Sequence, residues 1–149
     1  MNQVTFPVVG IIGVGAMGRG IAQIAAQAGS VVRLFDARQE AVSEAIDSIT
    51  GQWAKLLEKG RLKPDVVAEY KARLLGARGL SDLADCNLVV EAIVERLDVK
   101  RGLFTELESI VAPDAVLATN TSSLPVTLLA ALTGFRPAFA RRALLEFPF

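Results

Sequence analysis

The 149-residue chain carries 16 basic and 16 acidic residues, no histidine, 52% hydrophobic residues and 21% charged ones. This is the composition of one globular domain with a sizeable core, or of one domain of something larger, and the zero formal net charge gives no global electrostatic case for nucleic acid or an anionic membrane as partner. The single cysteine, Cys86, excludes an intrachain disulfide and fits a reducing, cytoplasmic setting, while the missing imidazole excludes Ser-His triads, histidine metal sites and histidine acid–base catalysis within the chain. The opening "MNQVTFPVVGIIGVG" has no basic n-region and its apolar run is short and broken by glycine, so it reads as a strand and not as a signal peptide. No run approaches membrane-spanning length.

Val8 to Val14 is almost wholly apolar and rich in Val and Ile, as expected of a strand buried on both faces. Ala16 to Ala28 follows with Ile21, Ile24, Ala25 and Ala28 at helical spacing, and Gly29 stands where a C-terminal cap belongs. "VVRLF" is a second strand that ends in Asp36. Gln39 to about Leu75 is a helical pair. Val42, Ala45, Ile46, Ile49, Trp53, Leu56 and Leu57 form one stripe of a long helix ended by Gly60, and Pro64 opens a second helix carrying Val67, Tyr70 and Leu74. Trp53 and Cys86 read as core. "NLVVEAI", Asn87 to Ile93, is a buried strand, Asp98 to Val111 an amphipathic helix, "AVLAT" another strand, and Leu124 to Thr133 a further helix. Strands alternating with helices predict an α/β fold, a Rossmann-type doubly wound parallel sheet with the helical pair inserted after the second strand.

Between the first strand and the first helix lies "GVGAMGRG", in which Gly13, Gly15 and Gly18 have G-x-G-x-x-G spacing. In this strand–turn–helix–strand context each glycine has a physical task. Gly13 permits the tight turn, Gly15 lets the backbone approach a pyrophosphate, and Gly18 lets the helix pack close to the strand. The helix start at Ala16 and Met17 offers free N–H groups and a positive dipole end to the phosphates. Asp36, about twenty residues on, is placed to accept from an adenosine ribose and to repel a 2′-phosphate, which favours NAD over NADP. Arg33 and Arg38 flank this aspartate and temper that preference.

Four segments in order, "IIGVGAMGRGIAQIAAQAG", "LFDA", "VVEAIVERLDVKRGLF" and "ATNTSSLPVT", resemble the NAD-binding domain of the 3-hydroxyacyl-CoA dehydrogenases over about residues 8 to 140. "LFDAR" and "EKGRL" are similar to the bacterial short-chain and phenylacetate-degradation members. The resemblance implies NAD-dependent oxidation of a 3-hydroxyacyl-CoA to the 3-oxoacyl-CoA. It places Gly13, Gly15, Ala16, Met17, Gly18 and Asp36 on the cofactor, with Glu95, Lys100 and Asn120 near its nicotinamide half. It places Ser122 on the substrate's 3-oxygen, and Lys55 and Lys59 on the CoA phosphates. It also implies a homodimer formed through a C-terminal helical domain, with an acyl-CoA thioester as partner and no metal. Each residue has a plainer reading too: Ser122 or Ser123 as a helix N-cap before Pro125, Lys55 and Lys59 as a solvated face, Glu95 and Lys100 as a surface pair.

The agreement stops after Phe139 and Ala140, so residues 1–140 read as the NAD-binding domain and 141–149 as an atypical tail. The family's catalytic histidine is expected about twenty residues past the serine, where this chain has Ala143. One encoding of "ARRALLEF", shortened by a single cytosine in its second codon, reads A-G-A-H-F-L-N and restores a histidine at that place. A truncation followed by foreign residues is the rival account. Without the general base, commonly worth a factor of ~10²–10⁴, the chain is expected to bind NAD and to turn over poorly or not at all. Exposed apolar surface is expected where the helical domain docks. Two further readings stand beside this one: another β-hydroxyacid dehydrogenase with a lysine base and free hydroxy acids as substrates, or a non-catalytic NAD-binding protein.

Overall fold

A computed structural model describes residues 6–93, 97–119 and 144–146. In chain order the elements are β1 (Val8–Ile12), α1 (Ala16–Gln27), β2 (Val31–Phe35), α2 (Gln39–Glu58), α3 (Pro64–Ala72), β3 (Leu74–Gly76), a 3-10 turn over Leu80–Leu83, β4 (Leu88–Glu91), α4 (Leu97–Ile110), β5 (Val116–Thr119) and β6 (Leu144–Glu146). The strands make a six-stranded sheet in the order β3-β2-β1-β4-β5-β6, and every neighbouring pair is parallel. The order reverses between β1 and β4, so the fold is the doubly wound Rossmann type expected from the sequence, and the reversal opens a crevice at the carboxyl ends of those two strands.

Alternation along each strand divides the core between the two sheet faces. Val9 and Ile11 of β1, Val32 and Leu34 of β2 and Val90 of β4 pack with α1, α2 and α3. Ile12, Val89 and Leu117 face the other way, onto Leu83, Cys86 and the α4 residues Phe104 and Leu107. The helical pair is anchored by its aromatic residues. Trp53 is fully buried and lies 5.2 Å from Tyr70, centroid to centroid, and Arg73 stands 5.9 Å over the Tyr70 ring. The same Arg73 donates to the Ala26 carbonyl at 2.7 Å, closing the last turn of α1. No helix among the described residues is long and apolar enough to cross a membrane.

Two local expectations are corrected, and one element was not foreseen. Leu74 belongs to β3 and not to α3: the second helix ends at Ala72, and Leu74–Gly76 pairs with Val32–Leu34 of β2. A sheet edge offering a ladder of hydrogen bonds outweighs a local helical spacing. The buried stripe of α1 is Gly18, Ala22 and Ala26, while Ile24 is 63% exposed. Small residues let this helix lie close on the sheet, so the large apolar residues that suggested the other stripe turn partly outward. Leu144–Glu146, within the segment read as a tail, pairs as a sixth strand with Leu117–Thr119, so the sheet extends past residue 140.

Candidate functional site

The chain leaves β1 at Ile12 and turns at Gly13, whose φ of 93° is open to glycine and strained for other residues. A Cβ on Gly13 would meet the Ala92 carbonyl oxygen at 2.8 Å and Ile93 Cγ2 at 3.0 Å, and one on Gly18 would sit 1.9 Å from the Gly13 carbonyl oxygen. Both glycines are therefore demanded by the protein itself. Gly15 is different: among the described residues a Cβ there would meet nothing within 4 Å. Its backbone is extended and forms the N-cap of α1, with no side-chain cap and no acidic residue in the first turn. The first-turn amides thus lie uncapped beside open space, which is what an anionic group requires.

Asp36, just past β2, completes the other wall. Its Oδ2 accepts from the Val14 N–H at 3.1 Å and its Oδ1 from the Arg38 N–H at 3.0 Å. The two bonds fix the carboxylate plane and tie it to the glycine turn, and each oxygen retains further acceptor capacity. The Gly13 N–H to Phe35 carbonyl bond, 2.9 Å, continues the β1–β2 ladder into the turn, and Arg19 Nε donates to the Val14 carbonyl at 3.0 Å. Met17, 42% exposed, stands in the first turn of α1. Arg33 does not flank this site. Its guanidinium donates to the Asp82 carbonyl at 2.7 Å and pairs with Asp85, so it is held away from Asp36.

Other predicted residues divide between distant and undescribed. Lys55 and Lys59 are exposed at the far end of α2. Trp53 on the same helix donates to Gln27, the last residue of α1, at 3.4 Å, whereas Gly15 precedes the first. The lysines are thus separated from the glycine turn by about the length of α1, roughly 18 Å at 1.5 Å per residue. Lys100 lies in α4. Glu95, Asn120, Ser122, Ala143 and the proposed helix at Leu124–Thr133 fall outside the described residues.

One crevice residue was missed in the sequence. Glu91, the last residue of β4, is fully buried, and its Oε2 accepts from the Ile93 N–H at 2.6 Å. A carboxylate ending the otherwise apolar strand "LVVE" was the available signal. A second concavity of about 230 Å³ lies at the opposite pole, lined by Phe6, Cys86, Asn87, Asp85, Asp114 and neighbouring alanines.

A reversed parallel sheet, an uncapped helix start behind a glycine turn and an aspartate at the end of β2 define a dinucleotide-binding protein of the Rossmann class. The family model for the 3-hydroxyacyl-CoA dehydrogenase NAD-binding domain matches residues 8–140, and the chain belongs to that family. It is 47% identical over 129 residues to the probable 3-hydroxybutyryl-CoA dehydrogenase of Deinococcus radiodurans, covering 87% of this chain and 46% of that one. It is 41% identical over 125 residues to the 3-hydroxybutyryl-CoA dehydrogenase of Bradyrhizobium diazoefficiens, covering 84% of this chain and 43% of the relative. The crystal structure of (S)-3-hydroxybutyryl-CoA dehydrogenase from Ralstonia eutropha superimposes with a TM-score of 0.85 at 32% identity, over 95% of this chain and 48% of that one. The chain thus spans less than half the length of these relatives.

Proposed function

We propose that this chain is the cofactor-binding part of an NAD-dependent dehydrogenase that oxidises 3-hydroxyacyl-CoA to 3-oxoacyl-CoA. The observation that carries the reading is the open space at Gly15, bounded by the uncapped start of α1 and by Asp36. Packing among the described residues gives no reason for glycine there, whereas a pyrophosphate at the helix start does. NAD, when bound, supplies the two-electron acceptor for a secondary alcohol. The chain's task is to hold the pyrophosphate on the amides of Ala16, Met17 and Gly18 and the adenosine ribose on Asp36.

Glu95, Lys100 and Asn120 are assigned to the nicotinamide half, and Ser122 to the substrate's 3-oxygen. Lys55 and Lys59, one helical turn apart and exposed, present two positive charges suited to the phosphates of CoA. The setting is cytoplasmic and the active form a homodimer. With no histidine in its 149 residues, the chain binds the cofactor without turning the substrate over. The test is a titration of the purified chain with NADH beside an assay of NADH consumption with acetoacetyl-CoA. Saturable binding without consumption is expected. Absence of binding overturns the reading, and turnover means that another group replaces imidazole as the base.

A further inference from the structure

Glu91 occupies the point where the strand order reverses. It is the last residue of β4, in register with Ile12 at the end of β1 and with Thr119 at the end of β5, so it lies in the floor of the crevice. The other three residues of the strand, Leu88, Val89 and Val90, are apolar and buried. A carboxylate placed there loses its hydration, a cost that fixed hydrogen bonds must offset. Its bond to the Ile93 N–H, at 2.6 Å, reaches only two residues ahead and folds the chain back on leaving the strand. The Ala92 N–H meanwhile extends the ladder to the Ile12 carbonyl at 2.8 Å. The peptide fixed between these two bonds is the one that abuts Gly13, where a Cβ would meet the Ala92 oxygen at 2.8 Å. Two carboxylates therefore grip the glycine turn from opposite sides: Asp36 directly, through the Val14 N–H, and Glu91 through the Ala92–Ile93 peptide.

We propose that Glu91 is a positioning residue of the cofactor crevice, which pins the Ala92–Ile93 peptide against Gly13 and so sets the wall on the β4 side, along which the nicotinamide half of the dinucleotide lies. This rests on the reading of the crevice as a dinucleotide site. The adenosine half lies on the β2 side, under Asp36, and is independent of Glu91. For that peptide, the reach of the oxygen that accepts from the Ile93 N–H is decisive. Glu91→Gln keeps an oxygen at the same reach, and Glu91→Asp keeps a carboxylate but withdraws it by one methylene.

The experiment titrates the wild-type chain and both variants with NADH and, separately, with AMP, and records thermal unfolding of each. NADH affinity is expected to fall about tenfold in Glu91→Asp and to stay within about threefold of wild type in Glu91→Gln, while AMP affinity stays within about twofold in both. A tenfold change corresponds to about 1.4 kcal/mol. Equal loss of NADH and AMP affinity in Glu91→Asp overturns the proposal and leaves a general structural role. So does an intact NADH affinity in Glu91→Asp, or a larger loss in Glu91→Gln than in Glu91→Asp, which makes charge the relevant property. A wild-type chain that binds neither ligand removes the dinucleotide reading itself, a failure separate from these.

Discussion

The two poles of the sheet both carry a hollow and both carry carboxylates, yet they are built differently. At the carboxyl ends of β1 and β4, α1 begins without a side-chain cap, Gly15 faces open space, and the Asp36 oxygens lie at the rim. At the amino ends, a concavity of about 230 Å³ has among its lining residues two polar groups already engaged with the protein. Asn87 Oδ1 accepts from the Val8 N–H at 2.9 Å, and Asp85 pairs with Arg33. The nearby Ser30 hydroxyl donates to the Phe6 carbonyl at 2.7 Å. A hollow becomes a site when its polar groups remain to be answered from outside. At the amino pole Asn87 and Asp85 already have protein partners, whereas the crevice pole leaves the first-turn amides of α1 for a ligand.

The sharpest way to break this contrast lies within the glycine turn. Gly18→Ala drives a methyl group into the Gly13 carbonyl, a contact of 1.9 Å with backbone that no rotamer relieves. The helix must lift from the sheet, so a cost of about 3 kcal/mol or more is expected. For a chain of this size that lowers the thermal midpoint by on the order of 10 °C, with loss of NADH binding. Calorimetry beside an NADH titration checks both. A Gly18→Ala chain of unchanged stability means that α1 does not pack this closely.

Much of this pole was legible in the sequence, because its requirements are local. Glycine spacing, an apolar strand before it and an aspartate after the second strand each follow from backbone sterics or charge within a few residues. What escaped detection depended on how the elements pack once placed, mostly against partners far along the chain. Which stripe of α1 is buried follows from how closely Gly18 approaches Gly13, so Ile24 reads as core until the helix is placed. Leu74 continues the spacing of α3 and becomes a strand residue only because β2 offers an edge. Arg33 stands three residues from Asp36 in sequence, but its partners are Asp82 and Asp85. Glu91 carries a signal, a charge closing an apolar strand, whose meaning appears only once Gly13 lies beside Ala92.

Gly15→Ala sharpens the contrast, since the added methyl meets no atom of the described residues within 4 Å. Lost favour at the N-cap and reduced freedom of the unfolded chain oppose each other, so stability is expected to move by less than about 1 kcal/mol. NADH affinity is expected to fall about tenfold or more if, as proposed, the pyrophosphate lies where the methyl would be. Parallel loss of stability and binding would make Gly15 another packing glycine and erase the difference from Gly18. Asp36→Asn comes next in size. An amide has one acceptor oxygen where the carboxylate offers two, so either the Val14 or the Arg38 N–H loses its partner. Loss of hydrogen bonds to a charged group predicts roughly a tenfold weaker NADH complex and a smaller preference over NADPH, read from paired titrations. An unchanged NADH-to-NADPH ratio argues against a ribose at Asp36.

The smallest effect tests the amino pole. Burial there, with the Asp85 carboxylate adding to it and the Arg33 guanidinium opposing, pushes the Cys86 thiol from its ordinary 9.0 up to about 11. Between those values the folded chain keeps a proton that the unfolded chain has released. Stability from this difference is fully present below pH 9 and is lost as pH rises through about 11. Wild type should therefore lose stability between pH 9 and 11 more steeply than Cys86→Ala, because other alkaline titrations are common to both. Urea midpoints of the two proteins across that range isolate the slope. The thiol is also expected to react slowly with iodoacetamide at pH 8 while the chain is folded, since the reactive thiolate is scarce and Cys86 is buried against Leu83 and Val89. Rapid modification under those conditions, with parallel slopes in urea, means that this pole opens to solvent as readily as the crevice, and the distinction between a self-satisfied hollow and a ligand-seeking one then fails.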